Sequence, residues 1–154
     1  MTFSELIGRM AEAAARGDGQ AVTDCFTADG VYDDVFYGPF QGAAIKDMIK
    51  NYFHRDGCNF RWDMYDAVDN GSVGYARYVF SYESKLEGAK GKRALFEGVA
   101  ICRLQDGKIA HYSEIANSAT GLLGLGFPPE RLAKFINKQK SELEGREEAA
   151  HHLT

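Results

Sequence analysis

Within the stretch VYDDVFYGP, Asp34 closes a short run of β-forming residues just before a Gly-Pro turn, which would set its carboxylate where a strand leaves a sheet. A carboxylate held against apolar walls has its charged form disfavoured, and becomes a base able to take a proton from carbon next to a carbonyl. The same Asp33-Asp34 pair also reads as a turn motif that hydrogen-bonds local backbone and caps the next segment. Tyr32, two residues earlier, falls on the same side of the strand as Asp34, where its hydroxyl could donate to a ligand oxygen or its ring could simply pack. His111 is the one histidine inside the patterned part of the chain, since His54 falls at a helix end and His151-His152 in the charged C-terminal stretch. With Glu97 nearby it is a candidate acid, base or hydrogen-bond donor, set against the plainer reading of a satisfied core histidine. A single histidine with scattered acids lacks the three or four ligands a metal requires, so no metal site is expected. GLLGLG at 121–126 has the look of a phosphate loop, but no Lys-Ser/Thr follows it and it does not join a parallel strand to a helix; no cofactor is expected.

These groups need elements to hold them. Phe3, Leu6, Ile7, Met10 and Ala14 recur at intervals of three and four and predict a first helix. Gly17 and Gly19 break it around Asp18, an N-cap for a second short helix with Ala21, Val22, Cys25 and Phe26 facing inward. Val31–Phe36 reads as a short strand, and Gly38-Pro39 with Gly42 as a turn before a helix carrying Ile45, Met48, Ile49, Tyr52 and Phe53. Four longer β-forming runs follow: 60–68, 73–84, 93–105 and 108–117, with hairpin signals at Asn70-Gly71 and Asp106-Gly107. Helices first and antiparallel strands after give an α+β domain whose helices cover one face of a curved four-stranded sheet, with a small strand near Val31. Pro129 opens a further helix with Leu132, Phe135 and Ile136 on one face. The chain is read as one domain over 1–154, with a core at about 3–117, a C-terminal lid or helix over 118–143 and a tail over 144–154.

Length and composition suit one buried core: 154 residues, 45% hydrophobic. A net charge of -4 without a clustered basic surface argues against nucleic acid, and points to a small or apolar partner. Three widely spaced cysteines make neither a disulfide framework nor a zinc site, consistent with a reducing, cytoplasmic setting. No apolar run reaches the ~20 residues needed to span a bilayer, and residues 1–8 lack a leader pattern, so neither membrane nor export is expected.

The order of elements, the VYDDVFYGPFQG turn and the LQDGKIAHYSEIAN hairpin together resemble the nuclear transport factor two superfamily of cone-shaped α+β domains. That superfamily includes ketosteroid isomerases, SnoaL-like polyketide cyclases, limonene epoxide hydrolase and scytalone dehydratase, and TGLLGLGFPPERLAKFI looks like bacterial members without an assigned function. The resemblance sets Asp34 where ketosteroid isomerases carry their proton-abstracting aspartate, and Tyr32 where limonene epoxide hydrolase carries a water-holding tyrosine. It also sets Arg77 at that hydrolase's arginine and Asn117 at its cavity-lining aspartate; with Val79 and Asn117 in place of the partner acids, Asp-Arg-Asp hydrolysis is not expected. Val99 stands where ketosteroid isomerases place a second, protonated acid, and the histidine pair of scytalone dehydratase is missing.

The last hairpin decides which residues enter the cone. A three-residue loop of Gln105, Asp106 and Gly107 pairs Leu104 with Lys108, Ile101 with His111, Val99 with Ser113 and Glu97 with Ile115. One face then carries Glu97, Val99, Ile101, His111, Ser113, Ile115 and Asn117, and the resemblance to the hydrolase turns it inward; a two-residue turn would reverse the pairing. The other face, with Phe96, Ala100, Cys102 and Tyr112, is then outside and apolar, which implies a homodimer. Trp62, Tyr65 and Tyr75 are expected as aromatic walls, Trp62 stacking on a flat ligand or serving as core. The expected protein binds a small apolar or cyclic ligand in an enclosed pocket. If it is an enzyme, it is a cofactor-free isomerase, cyclase or dehydratase with Asp34 as base, Tyr32 and His111 positioning a carbonyl or hydroxyl and Asn117 bonding the ligand; a non-catalytic ligand-binding or scaffold protein and the small subunit of an oxygenase are the alternatives.

Overall fold

The computed structural model describes residues 1–154. Helix α1 (Phe3–Arg16) begins with a capping box, in which the Thr2 hydroxyl accepts the Glu5 N–H and the Glu5 carboxylate accepts the Thr2 N–H. It stops where Gly17 turns left-handed at φ 81°. Its apolar stripe of Leu6, Ile7, Met10 and Ala14 is buried against the sheet. The close approach depends on Gly74, since a Cβ there would lie 2.6 Å from the Phe3 ring. Asp18 caps α2 (Gly19–Thr23), accepting the Ala21 N–H at 3.0 Å.

Strand β1 (Phe26–Asp34) starts earlier than the sequence suggested and ends at Asp34, not Phe36. The Gly38-Pro39 stretch, expected as a turn, forms a short strand β2 (Gly38–Gln41) antiparallel to β1, with Asp34 opposite Gly38. A helical run follows: α3 (Ala44–Met48), a π-helical turn (Ile49–Phe53) and α4 (His54–Asp56). Then come β3 (Gly57–Asp69), β4 (Val73–Ser84), β5 (Arg93–Gln105) and β6 (Lys108–Ala116). The six strands make one sheet in the order β2-β1-β6-β5-β4-β3, so β1 belongs to the main sheet and runs parallel to β6. The fold class is the expected α+β, an unclosed curved sheet with its N-terminal helices on one face.

The β5–β6 hairpin corrects the expected pairing. Asp106 and Gly107 both have positive φ, 52° and 73°, and make a two-residue turn with Gln105 opposite Lys108. A bulge then lets Leu104 face Ile109 while Arg103 faces His111, so Ile101 pairs with Ser113 and Val99 with Ile115. The extra residue restores the original alternation, and the two sets of face-mates are those expected. Which set lies inside is reversed. Phe96, Ala100, Cys102 and Tyr112 are at most 5% exposed and lie in the core, whereas Glu97, Val99, Ile115 and Asn117 are exposed. Turning Glu97, His111, Ser113 and Asn117 inward would have buried four polar side chains against helices offering mainly apolar stripes.

After β6, α5 (Ser118–Gly124) and α6 (Pro129–Glu144) dock on the sheet's end. Leu122 and Leu125 form a second small core with Ala89 and Ala94, and Phe127, Leu132 and Phe135 pack against it together with Phe36 and Tyr82. The charged end is helical as far as Glu144, helped by the i,i+4 pairs Lys138–Glu142 and Lys140–Glu144, and a 3-10 turn covers Glu147–His152. No helix is long and apolar enough to cross a membrane. Cys25, Cys58 and Cys102 are free thiols.

Candidate functional site

Because β1 runs parallel to β6 with Tyr32 beside Tyr112, the same register two residues on sets Asp34 beside Glu114 on the inner face of the sheet. Adjacent strands lie about 4.8 Å apart, so the two carboxyl groups line the same cavity. Asp34 is 6% exposed. Its Oδ2 accepts the N–H groups of Phe36 at 2.9 Å and Tyr37 at 3.1 Å, which is also why the chain turns there. Glu114 accepts the Val35 N–H at 3.3 Å on Oε2 and the Tyr78 hydroxyl on Oε1. Tyr78 comes from β4 and reaches across β5 because Gly98 has no side chain: a Cβ there would lie 2.8 Å from the Tyr78 hydroxyl.

Burial pushes both carboxyl groups up. Asp34 rises to about 6, restrained by its two backbone N–H donors. Glu114 rises to about 8, through burial first and the neighbouring Asp34 charge second, with the Tyr78 and Val35 donors acting against the rise. The two groups titrate together, and near neutral pH the pair holds about one proton, which Glu114 binds the more tightly of the two. One group is thus an acid and the other a base in the same space. A third acid, Asp56, is held charged by Arg55, at 2.6 and 2.8 Å, and accepts the Tyr37 hydroxyl at 2.7 Å.

The cavity at this pair is lined mostly by aromatic side chains, among them Tyr32, Phe36, Phe53, Phe60, Trp62 and Phe80. Tyr32 is 1% exposed and stacks on Tyr112 at 4.6 Å. The cavity volume is about 30 Å³, room for about two water molecules, so a cyclic molecule would fit only if a wall moved. Phe36 is such a wall, packed at 5.5 Å against Phe135 of α6, a helix with no fully buried residue.

Of the sequence candidates, Asp34, Tyr32 and Trp62 line this cavity. The others do not, because the sheet's faces are reversed. His111, Glu97, Val99, Ile101 and Ser113 lie on the outer face, where Arg77 pairs with Asp66 at 3.0 Å and sits over the Tyr65 ring. Tyr65 and Tyr75 are likewise outside, 43% and 46% exposed. Asn117 is exposed at the start of α5, its carbonyl accepting the Thr120 hydroxyl at 2.7 Å. Glu114, Tyr78 and Asp56 are the residues the sequence reading missed. The signal for Glu114 was its place two residues after Tyr112, on the more apolar of the two faces.

The geometry has counterparts. A search of curated protein sequences returns no match. Among solved structures, a protein of ketosteroid isomerase-like fold from Catenulispora acidiphila, in complex with trimethylamine, aligns with a TM-score of 0.70 and 20% identity over 84% of this chain and 98% of its own. IdmH of Streptomyces antibioticus, a proposed polyketide cyclase, aligns at 0.63 and 19% over 80% and 98%. An LEH-like epoxide hydrolase of M. tuberculosis aligns at 0.64 and 14% over 79% and 86%. At these identities the likeness concerns the fold. The SnoaL-like domain model matches residues 7–112, from the first helix through the strand that carries Tyr112, and the chain belongs to the SnoaL-like domain family.

Proposed function

We propose that this chain binds a small cyclic carbonyl compound between its sheet and helices and moves a proton on it, as an isomerase, cyclase or dehydratase using its own side chains. The observation that supports the reading most is the Asp34–Glu114 pair, two enclosed carboxyl groups whose environments part their proton affinities. Asp34 takes a proton from carbon next to the carbonyl, and protonated Glu114 donates to the oxygen on which charge develops. Tyr78 orients Glu114. The activities named for the similar structures, polyketide cyclase and epoxide hydrolase, are compatible with such a pocket. The non-catalytic reading draws on the two backbone N–H bonds that make Asp34 a turn residue as well; those bonds, like the Val35 and Tyr78 bonds to Glu114, need only acceptors and not two ionisable acids at one cavity.

The test is exchange of the α-protons of cyclohexanone in D2O, followed by proton NMR. The expected result is protein-dependent exchange with a bell-shaped pH profile: rising as Asp34 ionises near 6 and falling as Glu114 loses its proton near 8. Exchange no faster than in buffer across a panel of cyclic ketones overturns the catalytic reading.

We also propose a homodimer through the outer sheet face, with the residues corrected. Tyr65, Arg77, Val99 and Ile115 form one cross-strand row, and Leu95, Tyr75 and Ile115 leave large apolar surface exposed. Val99→Arg, at the middle of that row and 38% exposed, should leave folding intact and dissociate the pair in sedimentation. A wild-type monomer at micromolar concentration rules the dimer out. Ala100→Arg is unsuitable for this test, since Ala100 is fully buried.

A further inference from the structure

Trp62 stands on the inner face of β3, opposite Phe80, is 8% exposed and lines the cavity that holds the acid pair. Its indole Nε1–H is a donor and nothing else. That atom is buried and has no hydrogen-bond partner in the protein. The Tyr112 hydroxyl, on the strand that carries Glu114, is outside hydrogen-bond geometry too but close enough to that carboxyl group to act on it as a donor. Buried donors are almost always paired, so one left open beside a cavity takes its partner from the cavity: water in the free protein, and an acceptor of the ligand when that water is displaced. The rings around Trp62 offer edges and faces: Tyr78 stands perpendicular to it at 5.7 Å, Phe80 at 5.5 Å and Tyr112 at 6.3 Å. Neither tyrosine hydroxyl oxygen is within hydrogen-bond range of the indole N–H.

We infer that Trp62 is a specificity-determining residue, whose Nε1–H receives an oxygen acceptor of the ligand, a ring ketone or its enolate. The inference rests on the cavity being the ligand site, as proposed above, and adds the class of ligand. With the Trp62 N–H and the Glu114 proton both available, the lining offers unpaired donors and a single base. A ligand with an acceptor oxygen and an acidic C–H satisfies all three. A hydrocarbon of the same shape would leave the donors buried and unpaired, the situation that gives polar sites their largest discrimination.

Trp62 is the chain's one tryptophan, so the ¹⁵N-labelled full chain has a single indole N–H cross-peak that reports this atom directly. The probes are cyclohexanone and methylenecyclohexane, which differ by C=O against C=CH2 and share a shape. Cyclohexanone should shift the indole peak saturably, while the alkene binds at least tenfold more weakly and leaves the peak near its free position. Trp62→Phe keeps a ring on the inner face, removes this donor and should lower the preference for the ketone several-fold, leaving what the Glu114 proton contributes. An indole peak unmoved by the ketone, or moved alike by both probes, shows that the N–H is spent on neighbouring rings and overturns the inference; so does a ketone preference undiminished in Trp62→Phe. If that variant does not fold, the wild-type titration decides alone. Because the readout needs no turnover, a shifted peak without α-proton exchange defeats the acid–base reading only, and exchange with an unmoved peak defeats the Trp62 assignment only.

Discussion

Asp34→Asn should lower protein-dependent α-proton exchange by roughly 10²- to 10⁴-fold, the range a positioned general base supplies. The substitution separates the two roles the residue has in the structure. Asparagine keeps an oxygen at the position that accepts the Phe36 and Tyr37 N–H groups, so the turn that ends β1 keeps its hydrogen bonds. It cannot take the proton. Ligand affinity should stay within about tenfold of wild type, since contacts made equally in ground and transition states survive. The Glu114 carboxyl should titrate lower once its charged neighbour is gone, because the Asp34 charge is one cause of its raised value. Joint measurement of exchange, affinity and melting temperature checks the division. Exchange at the wild-type rate removes Asp34 from the mechanism, and a combined loss of affinity and melting temperature marks a turn residue. His111 does not inherit the role, because it lies on the far side of the sheet.

The sequence carried the architecture well and the site unevenly, for reasons that differ residue by residue. Asp34 was legible because strand, carboxylate and turn are adjacent in the chain, and its local hydrogen bonds and its place in the cavity both follow from that short segment. Tyr32 followed from simple alternation, two residues before Asp34, whereas Trp62 was grouped as an aromatic wall with Tyr65 and Tyr75, which lie outside. The partition of β5 and β6 into two faces was also recoverable, although the loop that produced it was not: a two-residue turn and a bulge gave the parity that a three-residue loop would have given. What the hairpin could not say is which face the helices cover, and there the analogy to a hydrolase aspartate at Asn117 outweighed a better physical signal. Phe96, Ala100, Cys102 and Tyr112 are the apolar set, and Glu97, His111, Ser113 and Asn117 the polar one; burial cost alone assigns inside and outside. Glu114 stayed hidden for the same reason, being a charged residue on the face taken as external. Its contact with Asp34 depends on β1 lying parallel to β6, a pairing between segments about eighty positions apart that no local pattern encodes.

Glu114→Gln should make the protein more stable at alkaline pH, by on the order of 2–4 kcal/mol near pH 9, while lowering α-proton exchange. The sign follows from linkage. A carboxyl group whose folded value is raised binds its proton more tightly in the native state than in the unfolded chain, where it titrates near 4.3. Native stability from this group is therefore intact below about pH 4, and falls as pH rises through the window up to about 8, where the native group finally ionises. Above that the fold holds two like charges side by side, enclosed by Tyr32, Trp62 and Phe96. Glutamine has the same shape and one acceptor oxygen: that oxygen keeps the Val35 N–H bond, while the amide NH2 in place of the other donates to the rotatable Tyr78 hydroxyl. Chemical denaturation of wild type and variant from pH 5 to 9 measures the difference. Wild-type stability that is flat or rises across pH 5 to 8, or a variant no more stable than wild type at pH 9, shows that the pair is not enclosed as described. The expected result carries a functional argument that geometry alone does not: a buried second carboxyl that destabilises the native state at working pH, where a neutral amide of equal size would fit, is a residue retained for the proton it can hold and release.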